Sequence, residues 1–273
     1  MCRIAIEGYG ISTLYKKEVQ ARVQATTSWR PFDLDKELHI LAPTVGVLSD
    51  IHCPIHSEKW LLQAITAFKL FDVKHVIVNG DFLDANQISR HAGSYYRRKG
   101  ELADDFNAAE SVLKLLVDTF DHVYFDMGNH DMRLLHKFAG EVGVSRIWKM
   151  FGDHEGKVTV TSRSYCKVNE NVTVCHPRQY SRIRGSLAQK LSQRWQRSIL
   201  TGHQHHSTMS SSPDGKWQAC DVGAIVDVEL QDYVRNELSD HVEPQNGFAI
   251  IFGNKIVCFD KHTAWDLFHM EAP

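Results

Sequence analysis

The chain has 273 residues, of which 43% are hydrophobic and 23% are charged, and its formal net charge is −2. This composition is that of an ordinary globular protein, and the balanced charge excludes binding to a polyanion through overall charge. No apolar run approaches membrane-spanning length, so we expect no membrane association. The six cysteines form no CxxC pair and nothing at the N-terminus resembles a secretory signal, a pattern that predicts reduced thiols and a cytoplasmic location.

Residues 1–40 are predicted to be an N-terminal extension and residues 41–273 a single domain. Buried strands are predicted over residues 44–48, 75–78 and 122–125, because these runs are apolar and rich in β-branched side chains. A helix capped by Ser57 follows the first strand, and a helix over residues 102–120 follows the second. This βαβαβ order predicts parallel pairing of the three strands.

The second half of the chain has a different pattern. Strands are predicted over residues 171–175, 199–201, 217–221, 247–252 and 255–259, with a helix near residues 187–195. Gly253-Asn254, between the last two strands, suits a type II′ hairpin turn. A parallel half followed by a hairpin-rich half predicts an α/β fold with two sheets packed face to face and helices outside.

A short polar cluster follows five of these strands. The clusters are Ser49-Asp50-Ile51-His52, Gly80-Asp81-Phe82-Leu83-Asp84, Gly128-Asn129-His130-Asp131, His176, and Gly202-His203-Gln204-His205. Loops at the carboxyl ends of strands share one edge of an open α/β sheet, so we expect the clusters to converge there. Mixed carboxylate and imidazole ligands favour Mn, Fe, Zn or Ni. Each cluster alone could be a turn, but the ordered set favours a shared metal site over five unrelated turns.

As a set, the motifs DxH, GDxxD, GNHD, a single His and GHxH over residues 44–206 resemble those of the calcineurin-like metallophosphoesterase superfamily. The resemblance implies a four-layer αββα sandwich of two mixed β-sheets flanked by helices. It also implies a phosphoester hydrolase with two divalent ions, expected to be manganese, with iron, zinc or nickel as alternatives. The residues that would hold one ion are Asp50, His52, Asp81 and His205. Those that would hold the other are Asp81, Asn129, His176 and His203, so that Asp81 bridges the two.

The resemblance implies that a hydroxide between the ions would attack phosphorus directly. The resemblance implies that His130 stabilises the transition state or protonates the leaving oxygen, and that Asp131 orients His130. Asp84 is expected to brace its loop. Ala85-Asn86 follows the second motif where the Ser/Thr protein phosphatases carry Arg, and Asp131 stands where they carry Glu, which disfavours that branch. An arginine two residues after the GNHD motif, here Arg133, is similar to the pattern in bacterial and phage-type members of the superfamily.

Two basic-aromatic stretches, residues 87–99 and 177–184, could form the wall of a substrate pocket. The predicted substrate contacts are Arg90, His91, Arg133, Arg178, Tyr180 and Arg182. Basic groups beside aromatic rings can hold phosphates and stack bases, so the first hypothesis is a phosphodiesterase or nuclease acting on nucleic acid or a nucleotide. The alternatives are a phosphomonoesterase acting on a small-molecule phosphate and a non-catalytic scaffold. A solvated loop whose arginines pair with acids is the simplest alternative for the two stretches, and the oligomeric state is left open.

Overall fold

The computed structural model describes residues 37–89, 100–137, 154, 156–231 and 242–273. These residues all lie in the unit Lys36–Pro273. Apart from residues 37–40, the predicted N-terminal extension lies outside the described residues. His39–Ile40 form strand β1, which pairs in parallel with a strand of the second sheet described below. The boundary of the extension stays a prediction.

The first sheet contains six strands and is mixed. Its strands are β2 (Thr44–Ser49), β3 (His75–Asn79), β4 (His122–Asp126), β5 (Val158–Val160), β11 (Gly247–Phe252) and β12 (Lys255–Asp260). Their order is β12-β11-β2-β3-β4-β5, with parallel pairing from β2 to β5, as predicted. The hairpin β11–β12 is antiparallel to β2, so it extends the first sheet. Gly253 at its turn has φ +57, as the first position of a type II′ turn requires.

The second sheet is also mixed and has six strands. Besides β1 its strands are β6 (Tyr165–Val168), β7 (Val172–Cys175), β8 (Ser198–Thr201), β9 (Ser207–Ser211) and β10 (Gln218–Val222). Their order is β1-β6-β7-β8-β10-β9. The parallel neighbours β7 and β8 end together, because Cys175 is in register with Thr201. This common end is where two of the predicted ligand clusters begin.

The α-helices among the described residues are α1 (Glu58–Leu70), α2 (Leu102–Thr119), α3 (Asp131–Lys137) and α4 (Ser186–Trp195). The hydroxyl of Ser57 accepts the backbone N–H of Trp60 at 3.4 Å, which confirms the predicted cap of α1. The amphipathic helices α1 and α2 bury their apolar side chains against the first sheet. None of the described helices combines the length and the apolar character that a bilayer-crossing segment needs.

Alternation along β2 shows how the layers stack. Val45 and Val47 join the core between the two sheets, whereas Leu48 joins the core beneath the helices. Gly46 lies on the same face of β2 as Leu48, towards the helices, and a Cβ atom there would lie 2.7 Å from the ring of Phe68. Helix α4 packs on β8 and β10 from the opposite side of the molecule. The expected α/β architecture of two mixed sheets with flanking helices is therefore confirmed.

Candidate metal centre

The five polar clusters meet where the two sheets end on the same edge. Ser49, Asn79 and Asp126 are in register at the ends of β2, β3 and β4. The end of β7 in the second sheet lies close to the end of β3 in the first, since Nδ1 of His176 is 3.0 Å from the backbone oxygen of Asn79. At Gly202 a Cβ atom would lie 2.1 Å from Oγ of Ser49, so only glycine lets these loops approach.

The backbone of this edge is unusual in its conformation. Several predicted ligands adopt the left-handed region, which side chains other than glycine rarely occupy. They are Asp50 (φ +53), His52 (φ +52), Asp81 (φ +48), His203 (φ +70) and His205 (φ +51). Each such residue costs on the order of 1–3 kcal/mol, and strain of this kind concentrates at functional sites.

The first group of ligand atoms comprises Asp50, His52 and His205, which are all buried and lie within 4.8 Å of one another. Nε2 of His205 is 3.1 Å from Oδ1 of Asp50. Nε2 of His52 is 3.9 Å from the same oxygen. One cation could therefore contact all three side chains with small adjustments.

The second group comprises Asp81, His176 and His203. Nε2 of His176 lies 3.3 Å from Oδ2 of Asp81 and 3.3 Å from Oδ1 of Asn129. The same oxygen of Asp81 lies 3.9 Å from Nε2 of His52, which belongs to the first group. Asp81 thus stands between the groups, as a residue that bridges two ions must.

The donor set fits divalent cations. The side chain of His52 is only 3% exposed, and its Nε2 has no hydrogen-bond partner among the described residues, whereas Nδ1 lies 3.4 Å from the carboxylate of Asp84. The carboxylates of Asp50 and Asp81 are buried beside it. Buried charges and unpaired polar atoms are costly without a counterpart, and a bound cation supplies one.

Burial and mutual charge shift the pKa values of the side chains at this site. Burial alone would lower the pKa of His176, but the carboxylates of Asp81 and Asp50 outweigh it and raise that pKa to about 10. Burial likewise raises the pKa of Asp81, but the cationic histidines around it bring it well below its usual value. His203 is different, because burial and the charge of His176 lower its pKa to about 4. The site therefore holds ionised carboxylates ready for cations.

Hydrogen bonds hold the first carboxylate in place. Oγ of Ser49 donates to Oδ2 of Asp50 at 2.5 Å, and the backbone N–H of His203 donates to the same oxygen at 3.0 Å. These bonds leave Oδ1 of Asp50 facing His205 and His52. Such outer contacts orient metal ligands. Ser49 precedes the DxH motif and was not predicted to be a site residue.

The structure corrects one predicted partnership. Asp131 was expected to orient His130, but its carboxylate accepts the backbone N–H groups of Leu83 at 3.1 Å and Gly128 at 3.0 Å. Those bonds join the second and third motif loops. Burial, together with the nearby charge of Asp81, raises the pKa of Asp131 to about 6. The carboxylate of Asp131 therefore joins two motif loops instead of contacting the ring of His130, and its catalytic assignment stays a prediction.

His130 is instead oriented by the second motif. Its ring Nδ1 lies 2.7 Å from the backbone oxygen of Asp84 and 3.6 Å from the carboxylate of the same residue. Its backbone N–H donates to Oδ1 of Asp81 at 2.7 Å. Nε2 lies 4.0 Å from Oδ2 of Asp81, so this nitrogen faces the metal ligands. His130 is thus placed at the rim of the centre.

Only some of the predicted substrate contacts lie among the residues that the structure describes. Arg90 and His91 lie outside the described residues. Arg178, Tyr180 and Arg182 are exposed on the loop that follows His176. Arg133 lies next to His130, with Nη2 2.9 Å from Nε2 of the ring.

One residue that the sequence analysis passed over joins this loop to the ligands. Gln204, between His203 and His205, is buried. Its amide nitrogen donates to the backbone oxygen of Gln179 at 2.7 Å, and its amide oxygen accepts the N–H of Ser181 at 2.8 Å. The only signal in the sequence is its place inside the GHxH motif.

Comparisons with known proteins agree with this site. The sequence model of the calcineurin-like phosphoesterase family matches residues 43–253. The chain belongs to the calcineurin-like phosphoesterase family, and it is accordingly a metal-dependent phosphoester hydrolase. Family members bind two divalent metals, and the clustered aspartates and histidines are the candidate ligands here. No curated protein sequence matches the chain.

Several solved structures are similar to the chain at low identity. The YfcE phosphoesterase from E. coli is 10% identical, with 76% of this chain and 87% of that one covered and a TM-score of 0.39. Vacuolar protein sorting 29 from Cryptosporidium parvum is 14% identical, with 79% and 88% covered and a TM-score of 0.42. A dimetal phosphatase from Danio rerio is 12% identical, with 80% and 95% covered and a TM-score of 0.38. These likenesses are too weak to add to the family assignment.

Proposed function

We propose that this phosphoester hydrolase is a phosphodiesterase that acts on nucleic acid or a nucleotide. The observation that carries the proposal is the position of the basic-aromatic loop over residues 177–184. The loop begins directly after the ligand candidate His176. Gln204, which lies between the ligand candidates His203 and His205, forms hydrogen bonds to the backbone in the middle of this loop. The exposed arginines and Tyr180 of the loop would then border the proposed metal centre, where a substrate has to lie.

The chemistry of the loop suits a polyanion with bases. Arg178 and Arg182 are exposed, and guanidinium groups on this loop would contact the phosphates of a bound substrate. Tyr180 is 40% exposed, which leaves part of its ring open for stacking on a base. The overall charge of −2 makes such a local basic patch the source of any attraction.

The proposed ligand sets contain two of the three close groups of ligand atoms among the described residues, and the third group joins His52 and Asp81 to His130. One ion would be held by Asp50, His52, Asp81 and His205, and the other by Asp81, Asn129, His176 and His203. When bound, two such ions activate a water nucleophile and neutralise charge on the phosphoester. Manganese is the proposed metal, with iron, zinc or nickel as alternatives that the same donors suit.

His130 would act on the substrate from the rim of the centre. Its Nε2 faces the ligands, 4.0 Å from Asp81, whereas Nδ1 is anchored on the backbone oxygen of Asp84. This orientation lets Nε2 reach an oxygen of a phosphoester bound over Asp81. The proposed role of His130 is to stabilise the transition state or to hand a proton from Nε2 to the leaving oxygen.

The test compares a diester with a monoester of the same leaving group. We expect the Mn²⁺-loaded protein to hydrolyse bis(p-nitrophenyl) phosphate with a higher kcat/KM than p-nitrophenyl phosphate, and to cleave a single-stranded oligonucleotide. Asp81→Asn serves as the control, because loss of the bridging carboxylate should abolish both activities. A preference for the monoester would support the alternative, a phosphomonoesterase whose arginines hold a terminal phosphate. No hydrolysis of either ester by metal-loaded protein would favour a non-catalytic scaffold.

The cytoplasmic location remains a proposal that rests on the cysteine pattern. The cysteines among the described residues, at positions 53, 166, 175, 220 and 258, are free thiols. Fractionation of cells that produce the protein would test this location.

A further inference from the structure

The guanidinium of Arg133 and the ring of His130 form a hydrogen bond that constrains the chemistry of the histidine. Nη2 of Arg133 lies 2.9 Å from Nε2 of His130. Nη1 of the same group donates to the backbone oxygen of Asp84 at 2.8 Å. A second anchor holds the ring, since Nδ1 of His130 lies 2.7 Å from that same oxygen. The two side chains are therefore fixed on one carbonyl group.

The identity of the partners fixes the position of the proton. A guanidinium carries only donors, so Nε2 of His130 has to accept from Arg133. The backbone oxygen of Asp84 can only accept, so Nδ1 has to carry the hydrogen. The two contacts agree on a single form of the ring, the tautomer with hydrogen on Nδ1.

The Nδ1–H tautomer conflicts with the proposed role of His130 as a proton donor. Donation to a leaving oxygen requires a hydrogen on Nε2, which is the nitrogen that faces Asp81. A hydrogen on Nε2 and donation from Arg133 to Nε2 exclude each other. Arg133 must therefore release Nε2, and Nε2 must then take up a proton from solvent, before His130 can donate that proton to a substrate.

We propose that Arg133 is a positioning residue, which holds His130 in the Nδ1–H tautomer in the free protein and transfers its Nη2 hydrogen bond to a phosphoryl oxygen when substrate binds. The transfer rests on the proposed action on phosphoesters. A charged phosphoryl oxygen is a better acceptor for a guanidinium than a neutral imidazole nitrogen. The Nη1 bond to Asp84 keeps the guanidinium beside the ring during this exchange.

The tautomer can be measured without any reaction. Nitrogen-15 NMR of histidine side chains distinguishes ring nitrogens that carry hydrogen from those that do not. In protein loaded with diamagnetic Zn²⁺, we expect His130 to show hydrogen on Nδ1 and none on Nε2. Removing a charge-assisted hydrogen bond should change the tautomer ratio by about tenfold, so Arg133→Met should give a clear fraction with hydrogen on Nε2.

Variants separate this role from a packing role. Arg133→Lys retains a cationic donor and should preserve more of the Nδ1–H form than Arg133→Met. His122 lies at the opposite end of β4 from the site, with its Nε2 2.8 Å from Oγ1 of Thr159, and it provides an internal reference that should be unchanged in both variants. Hydrogen on Nε2 in the wild-type protein, or an unchanged tautomer ratio in a folded Arg133→Met variant, would overturn the positioning role.

Inorganic phosphate tests the transfer. Saturating phosphate should shift the Nε2 signal of His130 and the side-chain signals of Arg133 in wild type, and should shift Nε2 of His130 less in Arg133→Met. Unchanged His130 and Arg133 signals at the highest soluble phosphate concentration would contradict the transfer. A failure of the proposed diesterase activity would leave the tautomer of the free protein as expected, so the two failures are distinguishable.

Discussion

Oδ1 of Asp84 lies 3.4 Å from Nδ1 of His52, and this contact determines which nitrogen of the histidine faces the metal site. Nε2 of His52 is then directed to Asp50 and Asp81, at 3.9 Å from an oxygen of each. Burial would raise the pKa of Asp84, but contacts with the rings of His130 and His52 outweigh it and hold that pKa well below its usual value. An ionised carboxylate behind a histidine is a common way to orient a metal ligand.

Asp84→Asn should weaken metal binding. The amide removes the charge that fixes His52, and loss of such an outer contact typically lowers metal affinity about 10–100-fold. Isothermal titration of metal-free protein with Mn²⁺ measures the change. Asp118→Asn is the matched control, because Asp118 forms an exposed pair with Lys114 on α2. An unchanged dissociation constant in Asp84→Asn would show that His52 is oriented without the carboxylate.

Gly128→Ala should remove the metal site. A Cβ atom at this position would lie 2.1 Å from both the backbone nitrogen and Oδ1 of Asp81, so the bridging carboxylate would have to move. We expect loss of bound Mn²⁺, measured by elemental analysis of the folded protein. Gly46→Ala is a useful contrast, because its clash is with the ring of Phe68 in the helix-side core. It should lower the free energy of unfolding and leave metal content per folded molecule intact.

Gln204→Ala should lower kcat/KM for the substrate more than it lowers metal content. The variant loses both hydrogen bonds to the loop over residues 177–184. Two bonds of about 1 kcal/mol each make a decrease of roughly tenfold or more in kcat/KM for the diester reasonable. Steady-state kinetics and metal analysis measure the two effects separately. Gln196→Ala, at the exposed end of α4, is the control. An unchanged kcat/KM for the diester in Gln204→Ala, or a decrease fully explained by lost metal, would refute the loop-holding role of Gln204.

Folding stability should decrease at acidic pH in part through His206. This side chain is 1% exposed, and its ring nitrogens have no hydrogen-bond partner among the described residues. Burial, with the positive charges of Arg184 and His205, lowers its pKa to about 4. Between that value and the unfolded pKa of about 6.5 the unfolded chain binds more protons, so the free energy of unfolding falls as pH falls.

The size of this effect can be measured by difference. A pKa of about 4 against about 6.5 corresponds to at most about 3 kcal/mol. Urea unfolding of metal-free protein at pH 7 and pH 4.5 should show less pH dependence in His206→Leu than in wild type. Chelator is needed because acid also releases metal from histidine ligands. Other groups contribute, including His203 with its pKa of about 4, so only equal pH dependence in the two proteins would count against the prediction.

Apolar strands were the part of the fold that could be predicted from sequence. The runs at β2, β3, β4 and β11 are nearly continuous in apolar residues, because both faces of the first sheet are covered. Strand β9 reads STMSS and lies at an edge, so it carries no such signal. The short helix α3 was also missed, since it begins inside the third motif at Asp131. Edge strands and single turns depend on tertiary contacts that a local pattern does not contain.

The candidate site likewise has one part that could be predicted from the sequence and one part that could not. The ligand candidates follow strand ends in the chain, so their convergence could be predicted from topology. The partners of His130 could not, because Asp84 is 46 residues away and Asp131 is adjacent in sequence. Adjacency suggested the wrong carboxylate. Residue types and strand order determine which atoms gather, whereas loop geometry determines which hydrogen bonds they form.

Anomalous diffraction at the manganese edge, from crystals grown with Mn²⁺, would locate the ions themselves. We expect two peaks roughly 3.5–4 Å apart, with Asp81 in contact with both. Asp50, His52 and His205 should surround one peak, and Asn129, His176 and His203 the other. A single peak, or peaks beyond bonding distance of Asp81, would contradict a dinuclear centre at this edge of the sheets.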